Sequence, residues 1–255
     1  MDDQHRMSTT VTKAFAILDL LAPKGEEGTS LMEISSQLGI SKSTAHRYLT
    51  TLEKLTVVER DEKDRFHLGL KLIELAGTFL GDHNLRNVSE PLLNELAAQT
   101  QETVHLAVPS ANEVVYVAKV DSSHSIRMTS RIGARMPMVC TALGKAILAH
   151  YSPARVEEVM GEGLPARTPH TITSPQRLRT ELERVCAQGF AIDDQENEMG
   201  VRCVGAPIFD YTTNVVGAIS VSGPANRMSK ERSLELGPLI REAALEVSRR
   251  IGYPR

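Results

Sequence analysis

The 255-residue chain has no tryptophan, and aromatic residues make up only 4% of it. That scarcity argues against single-stranded nucleic acid as a ligand, because such proteins stack bases on aromatic platforms. Duplex DNA makes no such demand. Cysteine is sparse as well: Cys140, Cys186 and Cys203 are odd in number and widely spaced, which excludes a disulfide framework and a CxxC metal pair and leaves reduced thiols. No cofactor is expected. No apolar run approaches the roughly 20 residues of a membrane helix, and the opening MDDQHRMSTT lacks the basic and apolar parts of a signal peptide, so a cytoplasmic protein with no membrane partner is expected. An excess of positive charge is also missing. The formal net charge is -3, and the first 82 residues carry 10 Lys+Arg against 13 Asp+Glu, so a nucleic-acid site must arise from local clustering. What is present, 41% hydrophobic and 24% charged residues, is an ordinary globular composition, and the length suits two domains.

Thr10 precedes VTKAFAILDLLA, whose Val11, Ala14, Phe15, Leu18 and Leu21 recur at helical spacing until Pro23-Lys24-Gly25. Ser30-Leu31-Met32-Glu33 has the form of a capping box and opens a short helix that Gly39 ends. Ser41 then caps a third helix from Lys42 to about Leu55, with Ala45, Tyr48, Leu49, Leu52 and Leu55 on one face. Two helices joined by a tight glycine turn make a helix-turn-helix. The third helix displays Lys42, Ser43, His46, Arg47 and Thr50 on its other face. Arginine reads guanine, while short hydroxyls and helix-terminal amides hold phosphates. Strands Val57–Arg60 and Arg65–Leu68 about the turn Asp61–Asp64 complete a wing. An exposed helix face is often merely solvated. The sequence of capped helix, glycine turn, polar-faced helix and hairpin favours duplex DNA instead, with Ser41, Lys42, Ser43, Thr44, His46, Arg47 and Arg65 as the expected contacts.

From Gly69 the stretch LKLIELAGTFLG is apolar on more than one side, as for a helix packed on a partner chain or another domain. A helix over about Val88–Thr100 follows, with Pro91 in its first turn. Then the period changes to two. Strands are expected at Thr103–Val108, Val114–Val120, Ser125–Thr129, Phe190–Asp193, Cys203–Phe209 and Val215–Val221. Helices are expected at Ala142–His150, Pro153–Met160, Gln176–Gln188 and about Lys230–Ile251. The fold class is α+β, with a curved antiparallel sheet in the second domain. The expected boundaries are 9–69 for the winged helix-turn-helix, 70–86 for a linker helix and 87–255 for the sensor-like domain.

In this second domain Ser220 and Ser222 lie two apart on an apolar strand and share one face, where unpartnered hydroxyls cost free energy. Thr141-Ala142-Leu143 opens a helix whose free amides can cradle a carboxylate. Asp193 can accept from a ligand hydroxyl, and Cys203 fits around a small ligand. Each has a plainer use. The serines can bond to backbone, Cys203 can fill space and Asp193 can cap a turn, and on the residues alone these plainer uses weigh more.

Ile40-Ser41-Lys42-Ser43-Thr44 through Arg47, Tyr116 to Val120, Ile132-Gly133, Thr141-Ala142-Leu143-Gly144-Lys145-Ala146, Asp193-Asp194, Gly200-Val201-Arg202-Cys203 and Ile219 to Gly223 together resemble the IclR family of bacterial transcription regulators over nearly the whole chain. Glu102-Thr103-Val104-His105-Leu106 and Ile126 to Gly133 look most similar to its ketodeoxygluconate-type repressors of sugar-acid catabolism. The resemblance implies a winged helix-turn-helix on palindromic operator DNA and a linker helix that pairs two chains. It also implies a GAF-like effector domain that assembles to dimers or tetramers and binds a small carboxylate such as a sugar acid or keto acid. By position the effector pocket falls on the main chain at Thr141 and Ala142 and on the side chains of Asp193, Cys203, Ser220 and Ser222. Thr stands at 141 where some members place Gly, which narrows the expected mouth. An enzyme with Cys203 as nucleophile and His105 as base, or a metal held by the same pair, is disfavoured: Cys203 has apolar strand neighbours, no oxyanion motif is visible, and the spacing is no ligand motif.

Overall fold

The computed structural model describes residues 8–75, 85–125 and 129–254. They form two compact units, residues 8–75 in the first and the remainder in the second. Residues 71–75 of the expected linker are helical, while 76–84 lie outside the described residues, as do 126–128 of the expected strand Ser125–Thr129.

In the first unit α1 (Thr9–Leu21) is capped by Ser8 rather than opening after Thr10. Its buried stripe is Ile17 and Leu21, while Val11 and Phe15 are 54% and 62% exposed. Before α2 (Leu31–Gln37) the capping box is complete: the Ser30 hydroxyl accepts from the Glu33 amide at 3.3 Å, and the Glu33 carboxylate accepts from the Ser30 amide at 2.7 Å. These bonds hold the Glu33 carboxyl below its ordinary range. Gly39 takes φ +60°, the left-handed stop that lets the chain re-enter α3 (Lys42–Lys54) after two residues. Strands β1 (Thr29–Ser30), β2 (Val58–Arg60) and β3 (Arg65–Leu68) form an antiparallel sheet in the order β1-β3-β2. One apolar cluster binds these pieces: Ile17, Leu21, Ile34, Ala45, Leu49, Leu52, Val58 and Phe66. Full burial of such a side chain stabilises by roughly 1.5–3 kcal/mol.

The second unit is built on six antiparallel strands in the order β6-β5-β4-β9-β8-β7. They are β4 (Thr103–Ser110), β5 (Glu113–Val120), β6 (Arg135–Pro137), β7 (Ala191–Asp194), β8 (Val201–Phe209) and β9 (Val215–Pro224). The helices are α4 (Leu85–Thr100), α5 (Ala142–Leu148), α6 (Pro153–Gly161), α7 (Pro175–Gln188) and α8 (Lys230–Arg250). Helix α4 is already helical at Leu85, the first described residue of this stretch and three before the expected start, so Pro91 lies in its interior and not in its first turn. Strand β6 carries no period-two signature and was not expected from the sequence.

Alternation divides the sheet. Val104, Leu106, Val204, Ala206, Ile219 and Val221 pack with Leu93 and Leu96 of α4 and Ile240, Ala244 and Val247 of α8. The opposite face meets α5 and α7 through Ala107, Ala191 and Ala218. All seven residues of α5 are buried. Gly144 allows its close approach, since a Cβ there would lie 2.3 Å from the Cα and carbonyl oxygen of Met138.

Candidate nucleic-acid interface and ligand pocket

On α3 the apolar side is used by Ala45, Leu49 and Leu52, so Lys42, Ser43, His46 and Arg47 face solvent. Among the described residues neither Lys42 nor Arg47 has a carboxylate partner. Ser41 caps the helix by accepting from the Thr44 amide at 3.2 Å, and its hydroxyl lies 3.0 Å from that of Ser43 and 2.8 Å from that of Thr44. The result is a cluster of hydroxyls at the positive end of a helix, bordered by two unpaired cations. That arrangement suits phosphate oxygens and base edges.

Arg65 is placed differently from expectation. Its Nε donates to the Glu27 carbonyl at 2.6 Å, and its Nη2 to the Gly28 carbonyl at 3.0 Å and to Glu33 at 3.4 Å. The side chain staples β3 to the segment before α2 instead of reaching outward. His67 reinforces the same seam, with Nδ1 3.0 Å from the Gly25 carbonyl and Nε2 3.1 Å from Asp61. These two bonds raise its pKa. The exposed cation of the hairpin turn is Lys63, which the sequence reading did not single out.

In the second unit, strand register brings the expected effector residues onto one sheet face. Thr103 pairs with Ser222, Ser222 with Cys203 and Cys203 with Asp193. The next row is Lys119, His105, Ser220, Gly205 and Ala191. Paired residues of an antiparallel sheet point to the same side, so nearly all the polar groups of the sheet interior gather here. The start of α5 covers them: a Cβ on Gly205 would stand 3.1 Å from the main chain of Ala142. Thr141 caps α5, accepting from the Gly144 amide at 3.1 Å and donating to the Pro137 carbonyl at 2.7 Å.

The serines are buried, 1% exposed at Ser220 and 3% at Ser222, yet weakly held. Their hydroxyls lie 3.5 Å apart and that of Ser222 lies 3.5 Å from His105 Nδ1, at the outer limit of hydrogen bonding, and the Ser222 hydroxyl also faces the thiol of Cys203 on the neighbouring strand. Asp193 performs the turn-capping use, its Oδ1 accepting from the amides of Glu196 (2.7 Å) and Asn197 (3.3 Å). Burial pushes its carboxyl up to about 7 against the pull of nearby Lys145. Lys145 is fully buried and donates to the Ile192 carbonyl at 2.6 Å, to Glu196 and, at 3.4 Å, to Glu181, tying α5 to the turn that carries Asp193.

The Cys203 thiol is raised by burial and by Asp193, and burial depresses His105 to about 3. A protonated thiol on β8 and an imidazole on β4, with β9 between them, do not make a nucleophile and base. His105 instead bonds Ser130 Oγ through Nε2 at 2.6 Å and stacks on Tyr116 at 4.5 Å between centroids. Lys119 donates to the Ser130 carbonyl at 2.8 Å. These four residues were not placed in the pocket from the sequence. A polar residue at 105, two beyond Thr103 in an otherwise apolar strand, was the signal available for His105. Ser130 lies in an irregular segment that gave none.

Residues 10–62 match the family description IclR helix-turn-helix domain, and residues 77–249 match Bacterial transcriptional regulator IclR C-terminal. The HTH-type transcriptional regulator KdgR of Escherichia coli is 36% identical over 256 residues, spanning 99% of this chain and 96% of that protein. Transcriptional repressor IclR of Escherichia coli is 33% identical, over 96% of this chain and 91% of its own length. Among solved structures, that of the Thermotoga maritima IclR superposes with a TM-score of 0.65 at 38% identity, covering 96% of this chain and 99% of the other.

Proposed function

Because the chain belongs to the IclR family, and is therefore a DNA-binding transcription regulator and not an enzyme, we propose that it represses a catabolic operon and is controlled by a small carboxylate bound beneath the start of α5. The observation that carries this is the pair of buried, loosely bonded hydroxyls of Ser220 and Ser222. A carboxylate there accepts a hydrogen bond from each hydroxyl and meets the α5 amides at Thr141 and Ala142, with Cys203 and Asp193 alongside. Sugar acids and keto acids are the favoured class, in keeping with the resemblance of Glu102–Leu106 and Ile126 to Gly133 to ketodeoxygluconate-type repressors. A thermal-shift panel of sugar, keto and aromatic acids tests this, since a ligand of the folded state raises the melting temperature. A panel in which only aromatic or uncharged compounds stabilise the protein contradicts it.

On DNA, α3 lies in the major groove, with Arg47 and His46 toward base edges and Ser41, Lys42, Ser43 and Thr44 against phosphates. Lys63 takes the backbone contact that Arg65 does not reach. Two copies bind a palindromic operator, as a single winged helix contacts too little DNA for a long specific site. The exposed apolar residues Val11 and Phe15 of α1, with Leu70, Ile73 and Leu75 (60–68% exposed), supply a face for the second chain. Sedimentation yielding only monomer at micromolar concentration, with and without DNA, overturns the dimer.

A further inference from the structure

A neutral imidazole has one donor and one acceptor nitrogen, so whichever bond one nitrogen makes fixes the role of the other. His105 is held so that this choice matters. It is 1% exposed, its ring stacks on Tyr116 at an interplanar angle of 22°, and its Nε2 lies 2.6 Å from Ser130 Oγ while Nδ1 looks toward Ser222 at 3.5 Å. Burial keeps the ring uncharged at neutral pH, so at any moment one of its nitrogens donates and the other accepts.

We propose that His105 is a positioning residue for the effector: it directs the Ser222 hydroxyl proton at the ligand, so that the pocket selects an anionic oxygen over a carboxamide. The proposal rests on the serine pair being the carboxylate site. When Nδ1 carries the proton, it donates to Ser222 Oγ, and the serine's own hydroxyl hydrogen points away from the imidazole toward the ligand. Nε2 is then an acceptor and takes the Ser130 hydroxyl hydrogen. The other tautomer reverses both bonds and draws the Ser222 proton back to the ring. A carboxylate, which accepts at both oxygens, favours the first arrangement. A carboxamide presents one acceptor and an N–H₂ group that meets a hydroxyl hydrogen head-on. The same chain, Ser222 to His105 to Ser130, passes ligand occupancy to residues 129–134, which are fastened to β5 by the Gly133 amide on the Tyr116 carbonyl (2.8 Å) and the Tyr116 amide on the Ala134 carbonyl (3.0 Å).

The test is calorimetric titration of the full chain with pyruvate, with ketodeoxygluconate and with pyruvamide, beside ¹⁵N spectra of the His105 ring. Asparagine places an amide nitrogen near the Nδ1 position and glutamine near Nε2, so His105→Asn should keep the preference for pyruvate over pyruvamide and His105→Gln should lose about tenfold of it, the worth of one hydrogen bond. In the wild-type chain, added acid should drive His105 to the Nδ1–H tautomer. That measurement needs no variant to fold. A wild-type preference retained in His105→Gln, or an Nε2–H ring in the complex, overturns the proposal while leaving the pocket intact. Equal affinity of wild type and Ser220→Ala/Ser222→Ala for the acids overturns the carboxylate site itself and this proposal with it, and so does a wild-type chain that binds neither these acids nor any sugar or keto acid of the thermal-shift panel.

Discussion

On α3 the polar residues Lys42, Ser43, His46 and Arg47 stand in solvent, whereas on the second unit's sheet Thr103, His105, Asp193, Ser220 and Ser222 are 0–3% exposed. The two surfaces therefore answer to different physics. Exposed groups are already hydrated, cost the fold little and attract a highly charged partner through long-range, salt-sensitive forces. Buried hydroxyls and carboxyls have lost water, and where their internal bonds are long, as between Ser220 and Ser222, the deficit is available to a small ligand that supplies better partners. One surface suits an extended polyanion. The other, on the function proposed above, takes a compact acid.

The strongest way to break the contrast is to disturb the roof of the buried site. Gly144→Ala sets a Cβ against the main chain of Met138, and the overlap should cost about 3 kcal/mol or more, seen as a large fall in the second unit's unfolding temperature. An unchanged melting curve would show that α5 is free to shift.

Ser220→Ala/Ser222→Ala should weaken binding of the stabilising acid by about 2 kcal/mol, two ordinary hydrogen bonds. Ligand-free DNA affinity and folding stability should stay near wild type, because the bonds lost within the protein are long. Titration calorimetry together with fluorescence anisotropy on operator DNA separates these quantities. Arg47→Ala sharpens the contrast from the other side. It should cost roughly 1–3 kcal/mol on specific DNA and relax sequence preference, while thermal stability moves by no more than about 0.5 kcal/mol, as for other surface substitutions.

The buried surface should also respond to pH. Burial pushes the Asp193 carboxyl up to about 7 in the folded chain, from an ordinary 3.8. Its contribution to stability is therefore complete below 3.8 and is lost as pH rises through about 7. An anionic ligand favours the protonated carboxyl, so affinity should fall by up to about tenfold per pH unit above 7. A flat profile from pH 6 to 8.5 would remove Asp193 from the ligand's surroundings. The smallest effect is expected at Lys42→Ala, which should weaken all DNA sequences alike and reduce the salt slope by about one unit.

Legibility in the sequence followed range. Ser30 with Glu33, Gly39 and Ser41 act within a few residues of themselves, and the helix-turn-helix could be read from them. The serine pair was readable because a strand alternates, so Ser220 and Ser222 had to share a face. His105 and Ser130 are 25 residues apart, and only the register of β4 with β5 brings them into contact. Arg65 shows the same limit. Its position in the hairpin was readable, but whether it turned outward or back onto Glu27 and Gly28 depended on the path of the preceding loop. Strand β6 is short, rich in charge and proline, and pairs only through Glu113–Val115, so nothing in its own three residues announced it.

Gly205 stands in for a spacer of zero thickness between β8 and the first turn of α5. A methyl group there would come 3.1–3.2 Å from the main chain of Ala142 and Leu143, tighter than comfortable by a few tenths of an ångström. The helix would have to lift by about that much. Position 205 is thus where a one-carbon change alters the spacing between β8 and the first turn of α5 while leaving Asp193, Cys203, Ser220 and Ser222 as they are. A genetic screen for altered induction should return alleles at this glycine whose product folds, binds its operator, and has lost its calibration to the effector.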